Sequence, residues 1–225
     1  MTGVQAWDAA RLRAAWLNVC TRVPADRAEL TRLDGLAGDG DLGQTLAAGF
    51  GAVAGQLAAD PPASVSELLV LVGTTLSRAA PSSFGTLLGL GLREAGKQAS
   101  GGAELDAAGF VAVLTSLADS VAARGGAAAG QRTMLDAILP ARQAAAQAAA
   151  DPAAPLVQVV RAAAQGAADG AAATAGMRPG AGRAGWIGDR AVGSPDAGAT
   201  AVALIIRALS EAVGPEQLTT ELMSR

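Results

Sequence analysis

The 225-residue chain contains no histidine. That absence excludes a Ser-His-Asp triad, an imidazole base and a phosphohistidine carrier. The single cysteine, Cys20, rules out an internal disulfide. Without histidine it also rules out a zinc site of the usual Cys/His type. Any catalysis must therefore rest on carboxylates, Arg/Lys, hydroxyls, backbone amides or a hard metal ion. Aromatic residues are only 3% of a chain that is 51% hydrophobic. The core must then be built from Ala, Leu and Val, which in long proline-free stretches favours packed helices over sheets. A net charge of -3 provides no broad basic surface, so nucleic acid is not an expected partner. Apolar stretches are broken by Gly, Ser, Arg or Asp before they could span a bilayer, and no basic segment precedes an apolar run at the N-terminus. A soluble, cytoplasmic protein with no membrane partner is the expectation.

Periodicity and punctuation place helices at about 4–20 (closed by Pro24), 25–33, 42–57, 64–77, 85–98, 106–124, 133–150, 154–173 and 198–213. Ser64 and Glu67 have capping-box spacing, Asp106 is a candidate cap, and Pro215 is placed to start a short last helix. No segment alternates as a strand would. The expectation is one all-α domain over 1–225, an antiparallel bundle or barrel of eight or more helices. The alanine-rich stretches 143–150 and 161–174 read as close helix–helix packing. Apolar faces alone leave open whether the interior is fully packed or holds a lipid-like guest.

Four polar knots interrupt the helices. The first, "LAGDGDLGQT" (36–45) with Asp34 just upstream, gathers Asp34, Asp39 and Asp41 as D-x4-D-x-D. Carboxylates held together repel unless a cation sits between them, and Mg2+ takes such ligands together with phosphate oxygens. Turn and cap roles explain the same residues. Leu42, Gly43, Gln44 and Thr45 open the next helix, where N–H groups suit an anion or simply start a helix. The second knot is "APSSFG" (80–85), which serine caps would also explain. The third is "GQRTMLD" (130–136), with Thr133 a simple N-cap candidate. The fourth, "GRAGWIGDRAVGSPDAGAT" (182–200), carries too much charge and glycine for a plain connector. There Arg183 suits a phosphate, and Asp196 and Gly198 suit the edge of a nucleotide pocket.

In order and spacing these knots resemble the nucleotide-binding L subunit (L domain) of dihydroxyacetone kinases. That family carries "LDxxIGDxDHG", "GGASGPLYGT", "RGxxxPGDKTMxD" and "GRASYLGERSIGHxDPGAT". This chain has "LDGLAGDGDLG", "APSSFGTLLG", "RGGAAAGQRTMLD" and "GRAGWIGDRAVGSPDAGAT". The resemblance implies an eight-helix antiparallel barrel with ADP or ATP at one end, held through two Mg2+ ions. Carried over by position, it assigns Asp34, Asp39 and Asp41 to the metal. Leu42 to Thr45 fall on the phosphate-contacting segment, and Ser83 and Phe84 on the second motif. Gly125 and Met134 match positions near adenine and ribose. Arg183, Asp196, Ala197 and Gly198 match the remaining nucleotide contacts, Arg183 being the expected catalytic group. The family's histidine after the last aspartate is Leu42 here, its serine is Phe84, and its proline before the last glycine is Ala197. Backbone contacts survive Leu42 and Ala197; side-chain hydrogen bonds from the lost histidine and serine do not.

The resemblance further implies a two-component kinase for dihydroxyacetone or a related short ketose. In that arrangement the sugar is bound by a histidine of a separate K-type subunit, since this chain has the length of the L part only. Two alternatives stay open. One is a form in which ADP is a bound cofactor rephosphorylated by a phosphotransferase-system protein. The other is a catalytically weakened nucleotide-binding regulatory module. A homodimer is compatible with either.

Overall fold

A computed structural model describes residues 5–99, 102–178, 180 and 192–212. Among them are α1 (Ala9–Ala25), α2 (Arg27–Ala37), α3 (Leu42–Ala59), α4 (Val65–Ala79), α5 (Ser83–Gln98), α6 (Ala107–Gly125), α7 (Leu135–Ala148), α8 (Leu156–Ala173) and α9 (Ala197–Glu211). A 3-10 turn, Thr174–Gly176, extends α8. No strand occurs among the described residues. Among the same residues an isolated antiparallel bridge joins Trp7 and Leu105.

The helix starts follow from side-chain caps. Asp8, Ser64, Ser82, Asp106 and Asp196 each accept from a backbone N–H of the first turn of α1, α4, α5, α6 and α9. Glu67 reaches back to the Ala63 N–H at 2.9 Å, so the expected capping box forms one residue out of register. Three expectations are corrected. Pro24 does not close the first helix; it lies in the last turn of α1, and Asp26 serves as C-cap of α1 and N-cap of α2. Its fixed φ is compatible with a helix, so the chain turns into α2 with no loop between them. Trp7 precedes α1, held by the bridge to Leu105. Thr133 is not the residue that caps α7, which begins at Leu135, although its hydroxyl accepts from the Leu135 N–H at 3.2 Å.

Eight of the helices form a closed ring. α3 packs on α1, each helix from α4 to α9 packs on the one before it, and α9 returns to α1. Asn18 Nδ2 donates to the Ala208 carbonyl at 2.7 Å across that last seam. α2 is the ninth helix, laid against α3 and α9. The α4–α5 seam is antiparallel and tight: a Cβ on Gly89 would collide with Ser77 Oγ and the Gly73 carbonyl. The buried cluster draws on every helix and is mostly Leu, Val and Ala around Trp16, Phe50 and Phe110. Against the expectation that every apolar stretch is broken before it could span a bilayer, α6 is long and apolar enough to cross one by length and composition alone. Here Phe110, Val113, Leu114, Leu117 and Val121 bury its inner face in the ring.

Candidate functional site

Alternation of direction around the ring brings the starts of α3, α5, α7 and α9 and the ends of α2 and α6 to one end of the molecule. They enclose a cavity of about 600 Å3, lined by residues from Leu33–Leu42, Pro81–Leu87, Val121–Ala127, Arg132–Met134 and Asp196–Gly198. That volume lies in the range of small-molecule sites. Helix N-termini present unsatisfied N–H groups and the positive end of the backbone dipole, so their convergence favours an anion.

One wall carries the acidic loop. Asp34 is in the last turn of α2, and Asp39 and Asp41 stand in the Gly38–Asp41 turn. Carboxylate oxygens of all three lie within 4.8 Å of one another. Asp34 is half-buried; the other two are exposed. Asp34 Oδ2 also accepts from the N–H groups of Asp41 (3.0 Å) and Leu42 (3.2 Å). It thus caps α3 from the end of the preceding helix, while Asp41, the formal cap, makes no side-chain bond of that kind. The metal and cap readings of Asp34 are therefore not exclusive. The turn requires glycine twice. A Cβ on Gly38 would stand 2.5 Å from Asp34 Oδ1, and Gly40 has φ +76°. An all-oxygen, all-carboxylate donor set at this spacing fits a hard divalent cation such as Mg2+.

Leu42 lines the cavity, but Gly43, Gln44 and Thr45 do not. Gly43 is pressed on the Arg27 carbonyl and Thr31, Gln44 Oε1 accepts from Arg27 Nη1 at 3.3 Å, and Thr45 N–H is bonded to the Asp41 carbonyl. Ser83, Phe84, Gly125 and Met134 all line the cavity. Phe84, Leu87, Val121 and Met134 give it an apolar side. Asp196, Ala197 and Gly198 line it at the start of α9. Arg183 lies outside the described residues.

The Asp196 carboxyl is strongly perturbed by its place in the cavity wall. Burial pushes it up from 3.8 to about 6, against the pull of the Ala199 N–H and of the Arg132 charge, while Asp136 pushes it further up. Arg132, which lines the cavity, and Asp136, which orders the loop beside it, are among the residues that sequence reasoning missed. Asp136 Oδ1 and Oδ2 accept from the N–H groups of Gly130 and Thr133, which folds the loop before α7 into a knot. Arg132 is 2% exposed, adopts φ +60°, and donates to the carbonyls of Thr174 (3.1 Å) and Pro195 (3.4 Å). Both lie in "GQRTMLD", but an Arg and an Asp four residues apart read as a solvated helix pair; only the knot turns them inward.

A family model described as the DAK2 domain matches residues 36–211. The chain belongs to the DAK2 domain family. This DAK2 chain is 36% identical over 207 residues to L-erythrulose 1-kinase of Mycolicibacterium smegmatis, covering 91% of the chain and 36% of that kinase. It is 36% identical over 194 residues to Triokinase/FMN cyclase of Homo sapiens, 86% of the chain and 33% of that protein. It thus spans about a third of the length of these relatives. It is 30% identical over 196 residues to the PEP-dependent dihydroxyacetone kinase, ADP-binding subunit DhaL, of Escherichia coli, 87% of the chain and 93% of that subunit. Among solved structures, the dihydroxyacetone kinase of C. freundii in complex with AMP-PNP and Mg2+ superposes with a TM-score of 0.70 at 26% identity, over 94% of the chain and 35% of that protein. The native form of the same kinase gives 0.72 at 27% identity, over 94% of the chain and 36% of that protein. The DAK2 fold accounts for the eight-helix ring expected from the motifs.

Proposed function

We propose that this DAK2 chain is the nucleotide-binding subunit of a two-component kinase, holding ADP or ATP with Mg2+ and acting on a short ketose bound by a separate K-type subunit. The observation that carries the reading is one cavity with a carboxylate trio on one side, apolar residues on another, and four helix starts turned toward it. The names of the relatives, kinases and an ADP-binding kinase subunit, support it. Asp34, Asp39 and Asp41 would hold the cation, two ions by the family resemblance. When bound, Mg2+ neutralises phosphate charge and orients the transferable group. The chain's own part is positioning. The start of α9 presents N–H groups to the phosphates, with Asp196 fixing its first turn. Ser83 and the start of α5 flank them. Phe84, Leu87, Gly125 and Met134 take the apolar base, and Arg183 supplies the cation that offsets charge developing on transfer.

A second reading has a specific observation behind it. One relative, matched along nearly its whole length, is a PEP-dependent kinase's ADP-binding subunit. In that case ADP would stay bound and be rephosphorylated in place by a phosphotransferase-system protein. Slow exchange of bound nucleotide, followed with labelled ADP, favours this form; rapid exchange favours direct use of ATP.

Titration calorimetry of MgADP tests the assignment. Wild-type protein binds in the presence of Mg2+, and Asp41→Ala weakens binding more than about tenfold, a loss of at least about 1.4 kcal/mol. The chain alone gives no turnover of dihydroxyacetone and gains it with a K-type partner. Equal affinity for Asp41→Ala and wild type overturns the metal assignment.

A further inference from the structure

Arg132 concentrates three costs in one residue. Its backbone is left-handed, at φ +60°, which disfavours every side chain but glycine's. Its charge is buried, with neutral carbonyls as the acceptors of its hydrogen bonds. Among the described residues its Nε–H has no partner. A leucine or methionine filling the same space would carry none of these but the backbone strain. What the guanidinium provides is reach in two directions. One terminal nitrogen holds the end of α8 at Thr174, 42 residues away, and the other holds Pro195, 63 residues away and one position before Asp196. Thr174 Oγ1 ties the same two strands of chain together by accepting from the Asp196 N–H at 2.7 Å. On its own side, Arg132 is followed directly by Thr133 and Met134, which line the cavity. The two walls meet where Gly198 faces Met134: a Cβ on Gly198 would lie 3.5 Å from that of Met134.

We propose that Arg132 is a positioning residue for the nucleotide site, setting the distance between the entry to α7 (Thr133, Met134) and the start of α9 (Asp196, Ala197, Gly198) by bridging Thr174 and Pro195. In this role it acts through the wall it fixes, its two terminal nitrogens being engaged by the Thr174 and Pro195 carbonyls. The inference rests on the nucleotide reading of the cavity given above.

The test is MgADP calorimetry on the full chain, with far-UV circular dichroism on each variant. Arg132→Ala keeps its helical spectrum, weakens MgADP at least about tenfold, and regains affinity when millimolar guanidinium, but not the same concentration of urea, is added. A residue that only stabilises the fold would leave the affinity of the folded fraction unchanged and respond to neither additive. Should Arg132→Ala fail to fold, Arg132→Lys carries the test. It keeps the buried charge but cannot bridge both carbonyls, so a native spectrum with weakened affinity is expected. Wild-type affinity in a folded variant overturns the positioning role alone. Absence of MgADP binding by wild-type protein overturns it together with the nucleotide reading.

Discussion

Asp34 does two things, and substitution separates them. Its Oδ2 caps α3 through two backbone N–H groups, and its carboxylate is one of three gathered within 4.8 Å. Asp34→Asn keeps a carbonyl oxygen for the cap and removes the charge. Asp34→Ala removes both. Loss of a cap costs about 0.5–2 kcal/mol, and hydrogen bonds to a charged group are worth about 1.5–3 kcal/mol each before any discount for exposure. Asp34 is half-buried, so the lower part of the combined range applies, about 2 kcal/mol for Asp34→Ala. For a chain of this size that is a fall in melting temperature of about 4–8 °C. Asp34→Asn stays within about 0.5 kcal/mol of wild type, because its charge is also withdrawn from beside Asp39 and Asp41. In calorimetry with Mg2+, both variants lose at least about tenfold in nucleotide affinity. Urea unfolding in metal-free buffer is the assay for stability. If Asp34→Ala and Asp34→Asn share one midpoint, the two N–H bonds contribute nothing and the cap across the turn is wrong.

Gly89→Ala forces a methyl group onto Ser77 Oγ and the Gly73 carbonyl at the α4–α5 seam. Overpacking outweighs the better helix propensity of alanine, and a thermal melt should show a loss of about 1–3 kcal/mol; an unchanged or raised melting point refutes the close contact. Asp196 makes stability fall as pH rises. Its carboxyl is raised from 3.8 to about 6 in the folded protein, so between about pH 4 and pH 6 the folded state holds a proton that the unfolded state has released. The unfolding free energy declines across that window by about 3 kcal/mol from this group and is flat above it. Urea midpoints at a series of pH values, compared with Asp196→Asn, check this; the same slope in both proteins removes Asp196 as its source.

Helix identity and the cavity loops were legible because local chemistry decides them. Ser64 and Asp106 announce helix starts whatever the rest of the chain does. The aspartates are separated by few residues, so their meeting needs no long-range information. Pro24 misled because proline disfavours a helix without forbidding it: its φ is helical, and α1 runs through Pro24 as α7 runs through Pro140, each giving up one i→i−4 hydrogen bond. Trp7 was misplaced because its partner, Leu105, is almost a hundred residues away. Gly43 and Gln44 sit beside the site in sequence but turn onto α2, a packing choice that periodicity does not encode. Arg132 was invisible for the opposite reason: its acceptors lie 42 and 63 residues away.

Closure of the ring has a consequence for the order of assembly. The acidic loop is complete once α2 and α3 are made, whereas the facing wall, Asp196 to Gly198, belongs to the last described helix. The Asn18–Ala208 contact that seals the ring spans 190 residues. Contacts of that separation are made against a large loop-closure entropy, so they form late. During synthesis the carboxylates therefore wait, exposed, for a wall that has not yet been translated. Nucleotide recognition that needs both walls cannot precede docking of α9, and a bound nucleotide joining them would help hold that last seam shut.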